Sequence, residues 1–297
     1  MGSSVGMVHL KIRKSMIART KIGKKIMSNN VDKRIMNRLQ EHKNEALNIY
    51  NKDWFVIAAQ GSMNYPGLFD ENSDIDSKML TLPSFKDIVF NKKSISHTHE
   101  MSDNNEHTDL KDVRSYMVIA RKQNINFVEI FFTDYWIANS YYEDLWLEMR
   151  LHAEEFARMN PYRTMKCIKG MAFEKQHALT HPYPSKLDLI KKYGYDPKQL
   201  SHAIRLEDFA NKYVAGYSYK DCLKPFNSEL LLKIKRGDED ISLEQAQIMM
   251  DNCVKKISQL EESFNKYHKD ENNLQTKDIY DNILYNLIER SVKKELR

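Results

Sequence analysis

The sequence predicts an α+β fold, with a mixed α/β head followed by a mostly helical C-terminal region. Three observations carry this expectation. Residues 54–59 form a short apolar run closed by Gly61, the pattern of a buried strand. Residues 74–82 alternate and are ended by Pro83, which cannot continue a central strand. After Asn139 the chain turns to long stretches of helical periodicity, and only nine glycines and seven prolines punctuate all 297 residues.

In chain order, residues 31–50 place Ile35, Leu39, Ala46 and Ile49 close to helical spacing. Residues 88–99 read as a third strand, 102–107 as a polar loop, 112–123 as a helix, and the apolar, aromatic 126–132 as a further strand. Helices are expected at 141–159, 161–179, 197–215, 242–267 and 277–296, with 229–235 as a lone strand among them. Pro161 suits a first helical turn, and His181-Pro182-Tyr183-Pro184 marks a break. The expected organisation is a basic arm over 1–30, a head over 31–139 and a helical domain over 140–297.

Composition sets the class. Hydrophobic residues at 41% and charged residues at 29% describe a globular chain rather than a disordered or fibrous one. Cys167, Cys222 and Cys253 are far apart and form no CxxC, against a zinc site or a disulfide framework and in keeping with a reducing, cytoplasmic location. The apolar runs fall far short of the ~20 residues that a membrane span needs, so no membrane association is expected. Net charge is a modest +5, but seven cations from Lys11 to Lys25 precede the first acid, Asp32. Such an arm can hold RNA, or serve as a targeting peptide or a solvated tail; with no apolar core segment it is not a secretory signal.

The stretch from Gln60 to Asp76 holds the most chemistry. It reads as a strand, a Gly61-Ser62 turn, a short helical loop, and a second strand opening with Asp74-Ile75-Asp76. Side chains two apart on a strand share a face, so Asp74 and Asp76 project together. Paired carboxylates repel one another, and a divalent cation compensates them; oxygen-only ligation suits Mg²⁺. Gly61 allows close backbone approach to a phosphate, and Ser62 can donate to it. Metal ions that bridge phosphate oxygens would then promote in-line phosphoryl transfer. An acidic pair alone is commonly just solvated; the upstream Gly-Ser after an apolar strand makes the pattern specific.

Gly61-Ser62, eleven intervening residues, then Asp74-Ile75-Asp76 resembles the signature of the DNA polymerase β-type nucleotidyltransferase superfamily. More narrowly, the chain is similar to the RlaP-type nucleotidyltransferases associated with RNA repair. Further matching stretches are Asp109-Leu110 through Asn126 to Phe132, Tyr193 to Lys198 with His202, Arg205 and Leu206, and Leu231 to Gly237, so that roughly residues 50–270 are covered. The resemblance implies a polymerase β-type head and a template-independent, two-metal transfer of a nucleoside monophosphate from an NTP, ATP foremost, to a hydroxyl. It implies Mg²⁺, with Mn²⁺ as an alternative, and an RNA 3′ end (tRNA or another) as acceptor. It also implies a third metal-binding carboxylate on a strand beside the pair. Asp109 fits best because it precedes the helix at 112–123, with Asp103, Glu106, Asp112 and Glu129 as competitors. For Glu129, an acid in an apolar segment, a buried ion pair is the stronger expectation. The chain departs from the family pattern at Pro66 and at Lys78, both expected beside the nucleotide. Two rival functions remain: a protein-nucleotidylating enzyme, and a non-catalytic RNA-binding protein on the same fold.

Lys198, His202 and Arg205 stand at i, i+4 and i+7, one helical face suited to a triphosphate. The alternative is a solvated face, or a salt bridge to Glu207 or Asp208. Arg163, Lys166 and Lys169 repeat the pattern on the preceding helix, where a structural role is favoured over acceptor contact. His97, His99 and His107 match no zinc spacing, and Tyr141, Tyr142 and Trp146 are read as helix core.

Overall fold

In the computed structural model, residues 30–70 and 73–297 are described. The basic arm lies outside them except for Asn30, which opens the first helix. Five strands form one mixed sheet in the order β3-β4-β2-β1-β5: β1 (Trp54–Ala59), β2 (Ser77–Thr81), β3 (Ser96–Glu100), β4 (His107–Asp112) and β5 (Trp136–Ala138). Only the β2/β4 pair is parallel; β1 runs antiparallel to both β2 and β5, and β3 to β4. The longer helices are α1 (Asn30–Tyr50), α2 (Val113–Ala120), α3 (Glu143–Leu151), α4 (Pro161–Ala178), α5 (Pro197–Val214), α6 (Ser228–Arg236), α7 (Leu243–Asn265) and α8 (Leu274–Glu295). None of the described helices is long and apolar enough to cross a membrane.

The two faces of the sheet bury different partners, as strand alternation requires. Ile57, Ala59, Met79 and Leu110 meet Ile35, Leu39 and Ala46 of α1. Val56, Ala58 and Leu80 join a larger cluster that includes Phe131, Trp146, Phe156 and Tyr280. That cluster takes side chains from both sides of residue 139, so the sheet and the helical region share one core. Each of its fully buried large apolar side chains contributes about 1.5–3 kcal/mol through removal from water.

Four expected strands differ. Residues 126–132 are instead the helix Ile125–Val128 followed by a 3-10 turn, Glu129–Phe131, because the Asn124 side chain accepts from the Asn126 N–H and caps a helical turn. An apolar run of that length fits either state, and packing decides. Residues 88–99 divide into the helix Phe85–Val89, opened by a Ser84/Asp87 capping box, and β3. Residues 229–235 belong to α6, which Asn227 caps at its start and Gly237, at φ +74°, ends in the left-handed conformation. The strand expected over 74–82 begins at Ser77, leaving Asp74 and Asp76 in its lead-in.

His42 of α1 is fully buried, 2.9 Å from Ser77 Oγ and 3.2 Å from Glu106 Oε2. Burial holds its pKa below the ordinary value, against the pull of Glu106. The unfolded chain therefore takes up a proton below about pH 6.5 that the folded chain refuses, so stability is complete above that pH and falls as pH drops toward the folded pKa. Melting temperature is expected to decline as pH falls below about 6.5, and a His42→Gln variant is expected to show a shallower decline. Parallel curves for the two proteins would remove His42 as the cause.

Candidate functional site

The Gly61-Ser62 turn begins where β1 ends. The Gln60 N–H donates to the Asp76 carbonyl (3.1 Å), so the end of β1 stays joined to the lead-in of β2. Gly61 then adopts φ +74°, a left-handed conformation that a side chain would strain, and opens the 3-10 turn Gly61–Asn64. Glu129 holds this turn from below. Its Oε1 accepts from the Gly61 N–H (2.9 Å) and the Asn64 amide (3.3 Å), and its Oε2 accepts from the Tyr65 hydroxyl (2.5 Å). The carboxylate is only 2% exposed. The ion pair expected for Glu129 is replaced by these three neutral donors, a set that can satisfy a buried carboxylate.

Asp74 is exposed and Asp76 half-buried at the entrance to β2. The backbone between them is fixed, because the Ile75 N–H donates to Glu106 Oε1 (3.0 Å). Asp76 Oδ1 accepts from the His107 N–H (3.0 Å). Burial raises the Asp76 pKa and the Asp74 charge adds to the rise, while His107 and Lys198 oppose it. A group in this state favours a cation nearby.

Cations from three helices line the same cleft as the carboxylates: Lys175 of α4, Lys198 and Arg205 of α5, and Lys235 of α6. Asp196 caps α5 and Pro197 occupies its first turn, so that Lys198, His202 and Arg205 follow on one face. All three line the same cleft as Gly61, Ser62, Asp74 and Asp76. The His202 pKa lies well below normal, through burial first and then the charges of Arg205, Lys198, Lys175 and Lys235, so the imidazole is neutral at pH 7. Burial also lowers the Lys235 pKa, with Lys198 adding to the effect. Arg205 stacks 3.6 Å over the Tyr65 ring and is only 8% exposed. Its Nη1 has no hydrogen-bond partner among the described residues. A buried, unsatisfied guanidinium N–H facing a cleft is complementary to an anion.

The residues proposed to pair with Arg205 are engaged elsewhere: Glu207 with Lys256 (2.9 Å) and Asp208 with Lys212 (2.7 Å). On α4, Arg163 meets Asp270, and Lys166 and Lys169 meet Glu261 at 3.8 and 3.0 Å, so all three have structural partners. Lys175, one helical face away, is the cation of α4 that reaches the cleft, and nothing in its local sequence distinguishes it. Lys235 is hidden from sequence reasoning by the strand expected there; recognising the Asn227 and Gly237 caps would have placed it on a helix. Tyr65, which supports Arg205, lies within the motif but has no pattern of its own.

Asp109 does not line the cleft. It lies on β4 opposite Lys78 of β2, with Oδ2 3.1 Å from the Lys78 ammonium and Oδ1 accepting from the Thr98 hydroxyl (2.6 Å). Burial works to raise its pKa, but Lys78, Thr98 and Lys111 outweigh it and hold the carboxyl low. Its competitors are also engaged. Asp103 pairs with Arg38, Asp112 caps α2 and holds Arg114, and Glu106 binds Arg38 and His42 besides the Ile75 N–H. Among the described residues no group of three or more His, Cys, Asp or Glu side chains is arranged to hold a metal ion. Among the described residues three carboxylates line the cleft: Glu129 is committed to the Gly61, Asn64 and Tyr65 donors, while Asp74 and Asp76 form a pair fitting an ion whose remaining oxygen ligands come from a phosphate. Of the other aromatic and imidazole candidates, Tyr142 and Trp146 are buried core, and His99 pairs with Glu45 (2.7 Å).

No protein-family model matches the chain, and no curated protein matches it. Among solved structures it is similar to a nucleotidyltransferase-like protein from Exiguobacterium sibiricum 255-15, with 10% sequence identity and a TM-score of 0.29 over 78% of each chain.

Proposed function

We propose that this protein is a metal-dependent nucleotidyltransferase that moves a nucleoside monophosphate from an NTP, ATP foremost, to a hydroxyl, with an RNA 3′ end as the acceptor. The observation that carries this reading is one cleft lined by both a carboxylate pair and four cations. Asp74 and Asp76 follow the Gly61-Ser62 turn, and Lys175, Lys198, Arg205 and Lys235 line the same cleft. A polyphosphate bound to a divalent cation needs both kinds of charge at once.

In this reading Asp74 and Asp76 would hold Mg²⁺ (or Mn²⁺), which would supply charge neutralisation at the phosphates. Lys198, Lys235 and Lys175 screen the outer phosphates, and Arg205, braced on the Tyr65 ring, donates to two oxygens at once. The neutral imidazole of His202 serves as a hydrogen-bond donor without adding charge. Ser62 donates to the phosphates from the turn; the Gly61 N–H is committed to Glu129, so Gly61 contributes shape rather than a donor. The acceptor oxygen bonds to the α-phosphorus, the bond to the bridging oxygen breaks, pyrophosphate leaves, and the hydroxyl proton passes to solvent.

The test is transfer of label from α-labelled ATP in the presence of Mg²⁺, with RNA offered in one reaction and whole-cell protein in another. Label on RNA is expected. Label on protein alone would replace the acceptor class, and no turnover or nucleotide binding in either reaction would defeat the reading. Arg205→Ala is expected to weaken ATP binding by about tenfold or more, since a charge-assisted contact contributes roughly 1.5–3 kcal/mol. Unchanged affinity would make the α5 face structural.

A further inference from the structure

Lys78 is the next residue after Asp76 on the same sheet face, and its side chain points into the protein rather than to water. It is 2% exposed, and its ammonium lies 3.1 Å from Asp109 Oδ2 and 4.5 Å from the centre of the Phe127 ring. The opposite oxygen of Asp109 is taken by Thr98. Because Ser77 pairs with Thr108 and Lys78 with Asp109, the strand neighbour of Asp76 on β4 is His107, which donates its backbone N–H to Asp76. Asp109 therefore lies on the neighbouring strand, two residues, roughly 6–7 Å along β4, beyond the level of Asp76.

We propose that the Lys78 ammonium is a built-in cation that occupies Asp109, so that the site takes one divalent ion with its nucleotide instead of two. The inference rests on the nucleotidyltransferase reading, in which Asp74 and Asp76 bind a metal–nucleotide complex. A second divalent ion at Asp109 would have to displace a buried ammonium from its carboxylate and its aromatic face, or sit against a like charge. Asp109 has its other oxygen bound to Thr98, and Lys78 is buried against the Phe127 ring; Lys111, the other cation near Asp109, donates to the Ser96 hydroxyl. Lys78 thus acts as a positioning residue that withholds Asp109 from metal.

The stoichiometry of Mn²⁺, read from loss of the free-ion electron paramagnetic resonance signal in the presence of α,β-methylene-ATP, tests this without turnover. The wild-type protein is expected to bind one Mn²⁺ per chain with the nucleotide. Lys78→Met, which removes the charge and keeps the length, is expected to bind two; Lys78→Arg is expected to stay at one. Asp109→Asn is expected to bind one, with unchanged nucleotide affinity. Two Mn²⁺ in the wild-type protein, or a loss of Mn²⁺ in Asp109→Asn, would overturn the role of Lys78 while leaving the nucleotide reading standing. A count of one in a folded Lys78→Met would overturn it as well. Absence of both nucleotide and Mn²⁺ binding in the wild-type protein would remove the nucleotide reading, and this inference with it.

Discussion

Asp76→Asn is expected to stop nucleotidyl transfer while the protein stays folded. The substitution removes one of the two charges that face the cleft but keeps the oxygen that accepts the His107 N–H. Local geometry is therefore retained, and what changes is the affinity for a divalent cation. A loss of at least about a thousandfold in single-turnover transfer is expected, on the order of 4 kcal/mol at the transition state. Stability should move the other way or not at all. Burial and Asp74 raise the Asp76 pKa, so the folded chain holds this proton more tightly than the unfolded one. Stability then falls as pH rises from the ordinary carboxylate range through the folded pKa, and at neutral pH the ionised group is a burden that Asn relieves. Melting temperature measured beside transfer separates the two effects. A variant that melts normally and turns over normally with Mg²⁺ would end the assignment of Asp76 to metal.

The second large effect is expected at Glu129, and it is one of stability and binding together. Alanine there strips the acceptor from the Gly61 N–H, the Asn64 amide and the Tyr65 hydroxyl, at a largely buried position in the cleft wall. Each buried donor left unsatisfied costs about 1–3 kcal/mol, and one or two of the three can find water as the structure relaxes. A net loss of about 3–5 kcal/mol is expected, which lowers the melting temperature by about 5–8 °C for a chain of this size. Binding should fail in the fraction that remains folded. Tyr65 carries Arg205 on its ring, so releasing the hydroxyl frees the platform under the guanidinium. Glu129→Gln keeps the volume and one acceptor oxygen but sets an NH₂ against one of the donors, and an intermediate loss is expected. Melting curves and ATP titrations on both variants check this; an unchanged melting temperature in Glu129→Ala would mean the three donors are satisfied from elsewhere.

Local chemistry in the sequence is enough for the part of the site that lies along one stretch of chain. A strand, a glycine turn and an acidic pair form within residues 54–76, and their spacing brings turn and carboxylates to one end of the interior β1/β2 pair. The face shared by Lys198, His202 and Arg205 follows from helical periodicity, and the caps at Asp196 and Pro197 start that helix in the right place. The helices α4, α5, α7 and α8 were equally legible, because amphipathic periodicity is a local property, whereas α6 was expected as a strand.

Tertiary structure alone decided the rest. The short apolar segment 125–131 could form a strand or a helix, and only its cap and its packing against the aromatic core selected the helical turns. Once those turns form, Glu129 reaches Gly61, a partner 68 residues away. Asp109 and Lys78 are 31 residues apart, and their pairing depends on the parallel register of β2 and β4. The convergence of Lys175 and Lys235 on the cleft likewise depends on how α4 and α6 pack around α5. Periodicity specifies which face a side chain occupies along its own element, whereas the charge it meets there is set by contacts between elements.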